Sequence, residues 1–171
     1  MAKKTDSAPE TTASAVEQKR TFLCVADESE ELSQAIRFAC RRSMRAEGGR
    51  VGLLYIVGPA EFQHWMAVGD LMREERRQKA EEMVQVVAAI AQKMTGKMPE
   101  IYIREGDIHE ELLKLIDEDK AIKVLVLGAA ATGEGPGPLV SYLVSKLANK
   151  LRVPVVIVPG TLTDEQIDAI T

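Results

Sequence analysis

Short, nearly continuous apolar runs recur along the chain, separated by longer stretches of mixed polarity. An apolar run of about four to eight residues without polar alternation is typical of a strand buried on both faces of a sheet. Four such runs and one more mixed segment predict five strands. The predicted strands lie at 21–26, 51–57, 99–104, 123–127 and 153–158.

Between these runs, apolar residues recur every three or four positions, as they do on one face of an α-helix. The predicted helices lie at 30–46, 70–95, 108–116 and 139–151. Asp107 followed by Glu110 has the spacing of a capping box, which predicts the start of the third helix. Pro138 after Gly137 predicts that the fourth helix begins at the proline.

The order of these elements, β-α-β-α-β-α-β-α-β, predicts the fold class. Strands separated by helix-length segments favour right-handed crossovers, and therefore a single doubly wound α/β domain with helices on both faces of a parallel sheet. In such a sheet a ligand binds beyond the carboxyl ends of the strands, where the winding direction reverses. The candidate site is therefore formed by residues 26–29, residues 56–59 and the loop after Gly128.

The two ends of the chain differ in composition from this domain. Residues 1–19 have almost no large apolar side chains, so we expect a mobile N-terminal tail. The α/β domain is expected to span residues 20–160. Residues 161–171 are expected to form a short C-terminal tail in which Thr163 caps a final turn.

Composition and charge narrow the classes of function. The chain has 22 Lys and Arg against 26 Asp and Glu, a net charge of -4, whereas a general nucleic-acid binder needs a basic excess. No apolar run approaches the ~20 residues that cross a bilayer, and no secretory signal is recognisable. Cys24 and Cys40 fit no disulfide framework or zinc site, so buried, reduced thiols are expected. The sequence predicts a cytoplasmic protein without nucleic-acid or membrane partners.

The histidines and the nucleophilic residues form no pattern typical of catalysis. His109 is expected to be a solvated residue in the first turn of a helix. His64 and Trp65, in the connection after the second strand, are expected to pack onto the sheet edge. No Ser/His/Asp set, Cys/His set or P-loop is present, so we name no catalytic or metal-binding residue.

Five segments of the predicted strands and turns carry a family resemblance. They are Val-Ala-Asp-Glu-Ser at 25–29, Leu-Leu-Tyr-Ile-Val at 53–57, Gly-Asp at 106–107, Val-Leu-Val-Leu-Gly at 124–128 and Val-Pro-Val-Val-Ile-Val-Pro at 153–159. Together and in this order they resemble the universal stress protein family. The resemblance implies a flavodoxin-like (Rossmann-like) five-strand sheet in the order 3-2-1-4-5, often in a homodimer.

The resemblance also implies a nucleotide pocket. Some members of the family bind ATP through a Gly-x2-Gly-x9-Gly-(Ser/Thr) loop, whereas others lack the glycines and bind no nucleotide. On that spacing the chain has Gly128, Ala131, Ser141 and Tyr142. A positive φ at Ala131 would cost on the order of 1 kcal/mol, and the Tyr142 ring is too large to replace a small hydroxyl residue. The implied pocket residues are Ala26, Asp27, Ile56, Gly128, Ala131, Ser141, Tyr142, Leu143 and Val144.

Asp27 and the loop after Gly128 each have two interpretations. By resemblance, Asp27 lies near the base and ribose of a nucleotide, Ile56 offers backbone contacts to the base, and the loop amides hold the phosphates. From the residues alone, Asp27 or Ser29 caps the first helix. The Gly- and Pro-rich stretch after Gly128 is alternatively a rigid connector, in which Glu134 opposes anion binding.

Three functions stay open at this point. The first is a non-catalytic stress-response dimer that binds ATP or another adenine nucleotide in this degenerate pocket. The second is the same fold without nucleotide, acting as a protein interaction module. The third is an adenine-nucleotide hydrolase, although no lysine or paired acid is evidently placed for phosphoryl transfer.

The last strand predicts how two copies would associate. In the order 3-2-1-4-5 this strand lies at the sheet edge, and an apolar edge strand has to be covered or paired. Val153, Val155 and Ile157 are apolar, and no charged residue follows Arg152 within the strand. We therefore predict a homodimer paired through residues 153–158, related by two-fold symmetry.

Overall fold

A computed structural model describes residues 19–58, 66–133 and 135–171, without the side chains of 66–70 and 72. The described residues do not include residues 1–18 of the expected N-terminal tail, His64, Trp65 or Glu134.

The strands are β1 (Arg20–Val25), β2 (Gly49–Val57), β3 (Glu100–Glu105), β4 (Ile122–Ala129) and β5 (Val155–Pro159). The helices are α1 (Leu32–Arg45), α2 (Met66–Thr95), α3 (Ile108–Glu118), α4 (Pro138–Tyr142) with a π-helical continuation (Leu143–Leu147), and α5 (Asp164–Ile170).

The five strands form one parallel sheet in the order β3-β2-β1-β4-β5. This arrangement confirms the predicted doubly wound α/β fold and its strand order. The winding reverses between β1 and β4, because β1 is paired with β2 on one side and with β4 on the other. The carboxyl ends of β1 and β4 therefore border the position where such sheets bind ligands.

Neighbouring residues in the central strands face opposite sides of the sheet, and both sides are buried. In β1, Cys24 faces α1, α2 and α5, whereas Leu23 faces α3 and the α4 segment. In β2, Leu53 faces the same side as Cys24, and Leu54 faces the same side as Leu23. Continuous apolar runs are needed here because helices cover both faces, which leaves no solvated side for polar residues.

The helix starts confirm two predictions. Asp107 caps α3, because its Oδ1 accepts hydrogen bonds from the backbone N–H of His109 at 2.9 Å and of Glu110 at 3.1 Å. These bonds lower the pKa of the Asp107 carboxyl. Gly137 is the N-cap of α4, with Pro138 following it at the start of the helix.

Residues 161–171, expected to be a short tail, contain the packed helix α5. Thr163 caps this helix as predicted, in a capping box with Gln166. Ile167 is completely buried and packs with residues of α1 and β1. The C-terminal segment is therefore part of the hydrophobic core.

Two arginines of α1 fix α5 in place through Asp168. Arg37 Nε donates to Asp168 Oδ1 at 2.9 Å, and Arg41 Nε donates to the same oxygen at 2.8 Å. These charge-assisted hydrogen bonds lower the pKa of Asp168 to about 2. The Asp168 carboxylate therefore stays ionised in contact with both guanidinium groups at neutral pH.

The long helix α2 begins at Met66, four residues before the predicted start. It has the length to cross a bilayer, but charged residues are distributed along it. Among the described residues, no helix is both long enough and apolar enough to span a membrane.

Candidate functional site

A cleft of about 210 Å³ opens between the carboxyl ends of β1 and β4. Residues from both strand ends, from the turn before α1 and from the start of α4 line it. They are Val25, Asp27, Ser29, Glu31, Leu32, Leu127, Gly128, Pro136, Gly137, Pro138, Leu139 and Val140. The cleft lies where the topology predicts a ligand site, and it contains both Asp27 and Gly128.

Asp27 is exposed at the end of β1, where it stabilises a turn. Its Oδ1 accepts hydrogen bonds from the Ser29 backbone N–H at 3.0 Å and from the Ser29 hydroxyl at 2.5 Å. The prediction that Asp27 or Ser29 caps α1 is wrong: the N-cap is Glu31, which makes no side-chain capping bond. The turn places the helix start beyond the reach of Asp27, so this carboxylate lies at the cleft instead.

Gly128 allows β4 to approach the start of α1 closely. A Cβ at position 128 would lie 2.5 Å from the carbonyl oxygen of Glu31 and 2.7 Å from its Cγ. A Cβ at Gly160 would similarly lie 3.0 Å from the Cβ of Glu31. Both glycines therefore make room for Glu31, and the lack of a side chain at 128 is explained by packing within the protein.

The loop after β4 turns at glycines other than those in the family's motif. Gly133, Gly135 and Gly137 have φ values of 100°, 101° and 97°. No described residue other than glycine has a positive φ, so the strain expected at Ala131 is absent. The Ala130 N–H donates to the Pro136 carbonyl at 3.3 Å, which closes the loop on itself.

Tyr142 is directed toward the start of α3. Its ring packs on the His109 imidazole, with a centroid separation of 3.7 Å and an interplanar angle of 34°. His109, expected to be solvated, is partly buried by this contact, and its Nδ1 lies 3.3 Å from Asp107 Oδ1. Tyr142 and Ser141 do not line the cleft.

The remaining predicted pocket residues lie elsewhere. The buried Ala26 donates its N–H to the Leu54 carbonyl, and Ile56 pairs with β3 and packs against the core on the α3 side of the sheet. Leu143 and Val144 border a different groove, beside β5. Ala131 is exposed outside the cleft lining.

Ser29, Pro136 and Gly137 line the cleft within the predicted segments, whereas the sequence prediction missed Glu31 and residues 138–140. Glu31 has no recognisable signal, because its position depends on α1 beginning later than the helical pattern suggested. Residues 138–140, at the start of α4, carried a usable signal. The prediction that Gly137 and Pro138 begin a helix already placed a helix start next to the end of β4.

The universal stress protein family model matches residues 19–159 of the chain. The chain belongs to the universal stress protein family. The match covers β1 to β5 and leaves α5 outside it. No curated protein sequence matches the chain.

Solved structures of universal stress proteins share the fold with this chain. UspA from Lactobacillus plantarum has a TM-score of 0.68 at 16% identity, over 82% of this chain and 98% of that chain. The universal stress protein from Archaeoglobus fulgidus has a TM-score of 0.62 at 16% identity, over 82% and 98%. A universal stress protein solved in complex with cAMP has a TM-score of 0.54 at 18% identity, over 83% and 98%.

The cleft of this universal stress protein domain is acidic. Asp27 and Glu31 line it, and none of its described lining residues is a lysine or an arginine. Lys79 of α2 pairs with Glu28, the residue after Asp27, at 2.7 Å and lowers the pKa of that carboxyl. Within the described ranges, no group of three or more His, Cys, Asp or Glu side chains is arranged to hold a metal ion.

A second concavity, of about 270 Å³, lies between the π-helical segment and β5. Val144 and Ile157 line it and are 58% and 39% exposed. The lining also includes Leu143, Val153 and Val155, so this sheet edge presents an apolar surface to solvent. We call this surface the β5 groove.

Proposed function

We propose that this universal stress protein domain is a non-catalytic binding protein that takes the nucleoside part of an adenine nucleotide in the cleft between β1 and β4. The observation that carries the proposal is the position of the Asp27 carboxylate. It lies at the end of β1 in the same cleft as Gly128, where the winding direction of the sheet reverses. The family relative solved with cAMP supports the choice of an adenine ligand.

The cleft offers complementary groups to a base and a ribose. A carboxylate at the end of a parallel strand accepts hydrogen bonds from ribose hydroxyls, and the Ser29 contacts fix the orientation of Asp27. Val25, Leu127 and Leu139 supply apolar surface on which a planar base can pack.

A nucleotide-free interaction module is the second candidate, and one observation favours it. The cleft, at about 210 Å³, is smaller than the roughly 300–1,000 Å³ of typical ligand pockets. Hydrolysis is not proposed, because no described cleft residue is a cation that stabilises a transferring phosphoryl group.

Calorimetric titration with adenosine and cAMP tests the proposed nucleoside site. We expect the unmodified protein to bind both, and Asp27→Ala to weaken binding about 10- to 100-fold, because a hydrogen bond to a charged group contributes about 1.5–3 kcal/mol. Asp27→Asn keeps an acceptor for Ser29, and so separates loss of charge from loss of the turn. Asp117→Ala, which removes an exposed acid of α3, is the matched control. If neither adenosine nor cAMP gives a heat of binding at millimolar concentration, the proposal is contradicted.

We also propose that the domain forms a homodimer through the edge of β5. β5 is the outer strand beside β4, and the β5 groove extends its apolar surface. Covering an apolar edge with a second copy satisfies its unpaired backbone groups and buries its exposed side chains.

Sedimentation velocity tests this dimer. We expect a mass of twice 18.8 kDa at micromolar concentration, and a monomer for Ile157→Lys, because a buried lysine in a two-fold interface would repel its symmetry mate. Val86→Lys introduces the same charge at a 63% exposed apolar position of α2 and should leave the mass unchanged. A monomeric unmodified protein contradicts the proposal.

We place the protein in the cytoplasm on the basis of its cysteines. Cys24 and Cys40 are both free and buried. Burial raises the pKa of the Cys40 thiol to about 11, so it stays protonated and unreactive. Two reduced thiols in one core are typical of proteins from a reducing compartment.

A further inference from the structure

We infer that Glu31 makes this cleft select adenine ligands without a polyphosphate chain, so that adenosine binds better than ATP. The inference rests on the proposed nucleoside site and names its specificity-determining residue. It concerns the same cleft, at the side where β4 and the following loop approach the start of α1.

The base of the Glu31 side chain is held at the end of β4 by two glycines. A Cβ added at Gly128 would lie 2.7 Å from the Cγ of Glu31, and a Cβ added at Gly160 would lie 3.0 Å from its Cβ. A side chain at either glycine would occupy the same space as Glu31. The packing therefore keeps an acidic side chain at the edge of the cleft, in the place where glycines would otherwise let a ligand approach the backbone.

The loop next to Glu31 is poorly arranged to compensate for its charge. A phosphate-binding loop directs successive backbone N–H groups at the anion. Here the Ala130 N–H donates to the Pro136 carbonyl at 3.3 Å instead. This amide is therefore engaged within the protein and is not directed at a ligand.

The charges of the lining oppose a polyphosphate chain. A triphosphate would bring several negative charges close to Asp27 and Glu31, and no described cation lines the cleft to offset them. A neutral nucleoside meets no such repulsion, and its ribose hydroxyls donate to the Asp27 carboxylate. The expected order of affinity is therefore adenosine, then AMP, then ATP.

Calorimetric titration of Glu31→Gln with adenosine, AMP and ATP tests this inference, with EDTA present to remove divalent cations. In the unmodified protein we expect ATP to bind at least about tenfold more weakly than adenosine. Glu31→Gln should strengthen ATP binding about tenfold and change adenosine binding less than about threefold, since a like charge is removed. Glu30→Gln removes an exposed neighbouring charge outside the cleft and should change neither affinity.

The Glu31→Gln variant is expected to fold, because the Glu31 side chain makes no capping bond at the start of α1. Glu31→Ser, which shortens the side chain, should change ATP binding in the same direction. Equal affinity for adenosine and ATP in the unmodified protein overturns the inference, as does an ATP-to-adenosine ratio that both variants leave unchanged.

A parallel titration with Mg²⁺ separates repulsion from metal binding. If the unmodified protein bound Mg·ATP more tightly than adenosine and Glu31→Gln weakened it, Glu31 would be a metal ligand and the inference would be overturned. Adenosine binding without the expected Glu31 effect removes only this inference. Failure of adenosine and cAMP to bind removes the proposed nucleoside site, and this inference with it.

Discussion

Ile167→Ala is expected to lower the free energy of unfolding by about 2–5 kcal/mol, the range for deleting a large aliphatic side chain from a core. Ile167 is completely buried between α5, α1 and the sheet. Ile170→Ala, three residues later on the same helix, removes a side chain that is 62% exposed. It should change the free energy of unfolding by no more than about 0.5 kcal/mol. Urea denaturation of both variants measures the difference.

This comparison decides whether the segment after the family-matched region is part of the cooperative unit. Residues 19–159 match the family model, and α5 lies beyond them. Its attachment by Ile167 and by the Arg37 and Arg41 hydrogen bonds to Asp168 predicts that α5 unfolds together with the domain. Equal, small effects of the two alanine variants would show that α5 is detached from the core in solution.

The pattern of apolar and polar residues predicts the strands well. Each central strand is buried on both faces and is therefore an unambiguous apolar run. The pattern predicts α5 less well. That helix has seven residues and a single buried apolar position, Ile167, which is too little periodicity to recognise. Its packing depends on contacts between α1 and Asp168, more than 120 residues apart in the chain. Only the folded topology brings these groups together.

The location of the candidate site was predictable, but most of its residues were not. Strand order alone places a site at the carboxyl ends of β1 and β4, and Asp27 and Gly128 follow from it. Ala26 and Ile56 were assigned from the family's first two strands, and residues 131 and 141–144 from its loop and the turn that follows. In this chain the loop turns at Gly133 to Gly137, and α4 directs Tyr142 toward His109. Loop spacing alone therefore does not determine which of these side chains face the cleft.

Gly128→Ala is expected to lower the free energy of unfolding by about 1–3 kcal/mol, the usual cost of adding a methylene to a well-packed site. The new Cβ would lie 2.5 Å from the Glu31 carbonyl oxygen, which belongs to the backbone and cannot move as a side chain does. Gly58→Ala, at the end of β2, adds the same atom where nothing lies within 4 Å. That control should stay within about 0.5 kcal/mol of the unmodified protein. Urea denaturation measures both.

Gly128→Ala should also affect ligand binding in the cleft. Because the start of α1 must shift to accept a Cβ at 128, Glu31 shifts with it, and adenosine binding in the cleft should weaken. Gly58→Ala should leave adenosine binding unchanged. Glu31→Ala in the Gly128→Ala background removes the contact with Cγ and leaves the contact with the carbonyl oxygen, so stability should recover only in part. Full stability of Gly128→Ala alone would contradict the close approach of β4 to α1, and with it the position of Glu31 at the cleft.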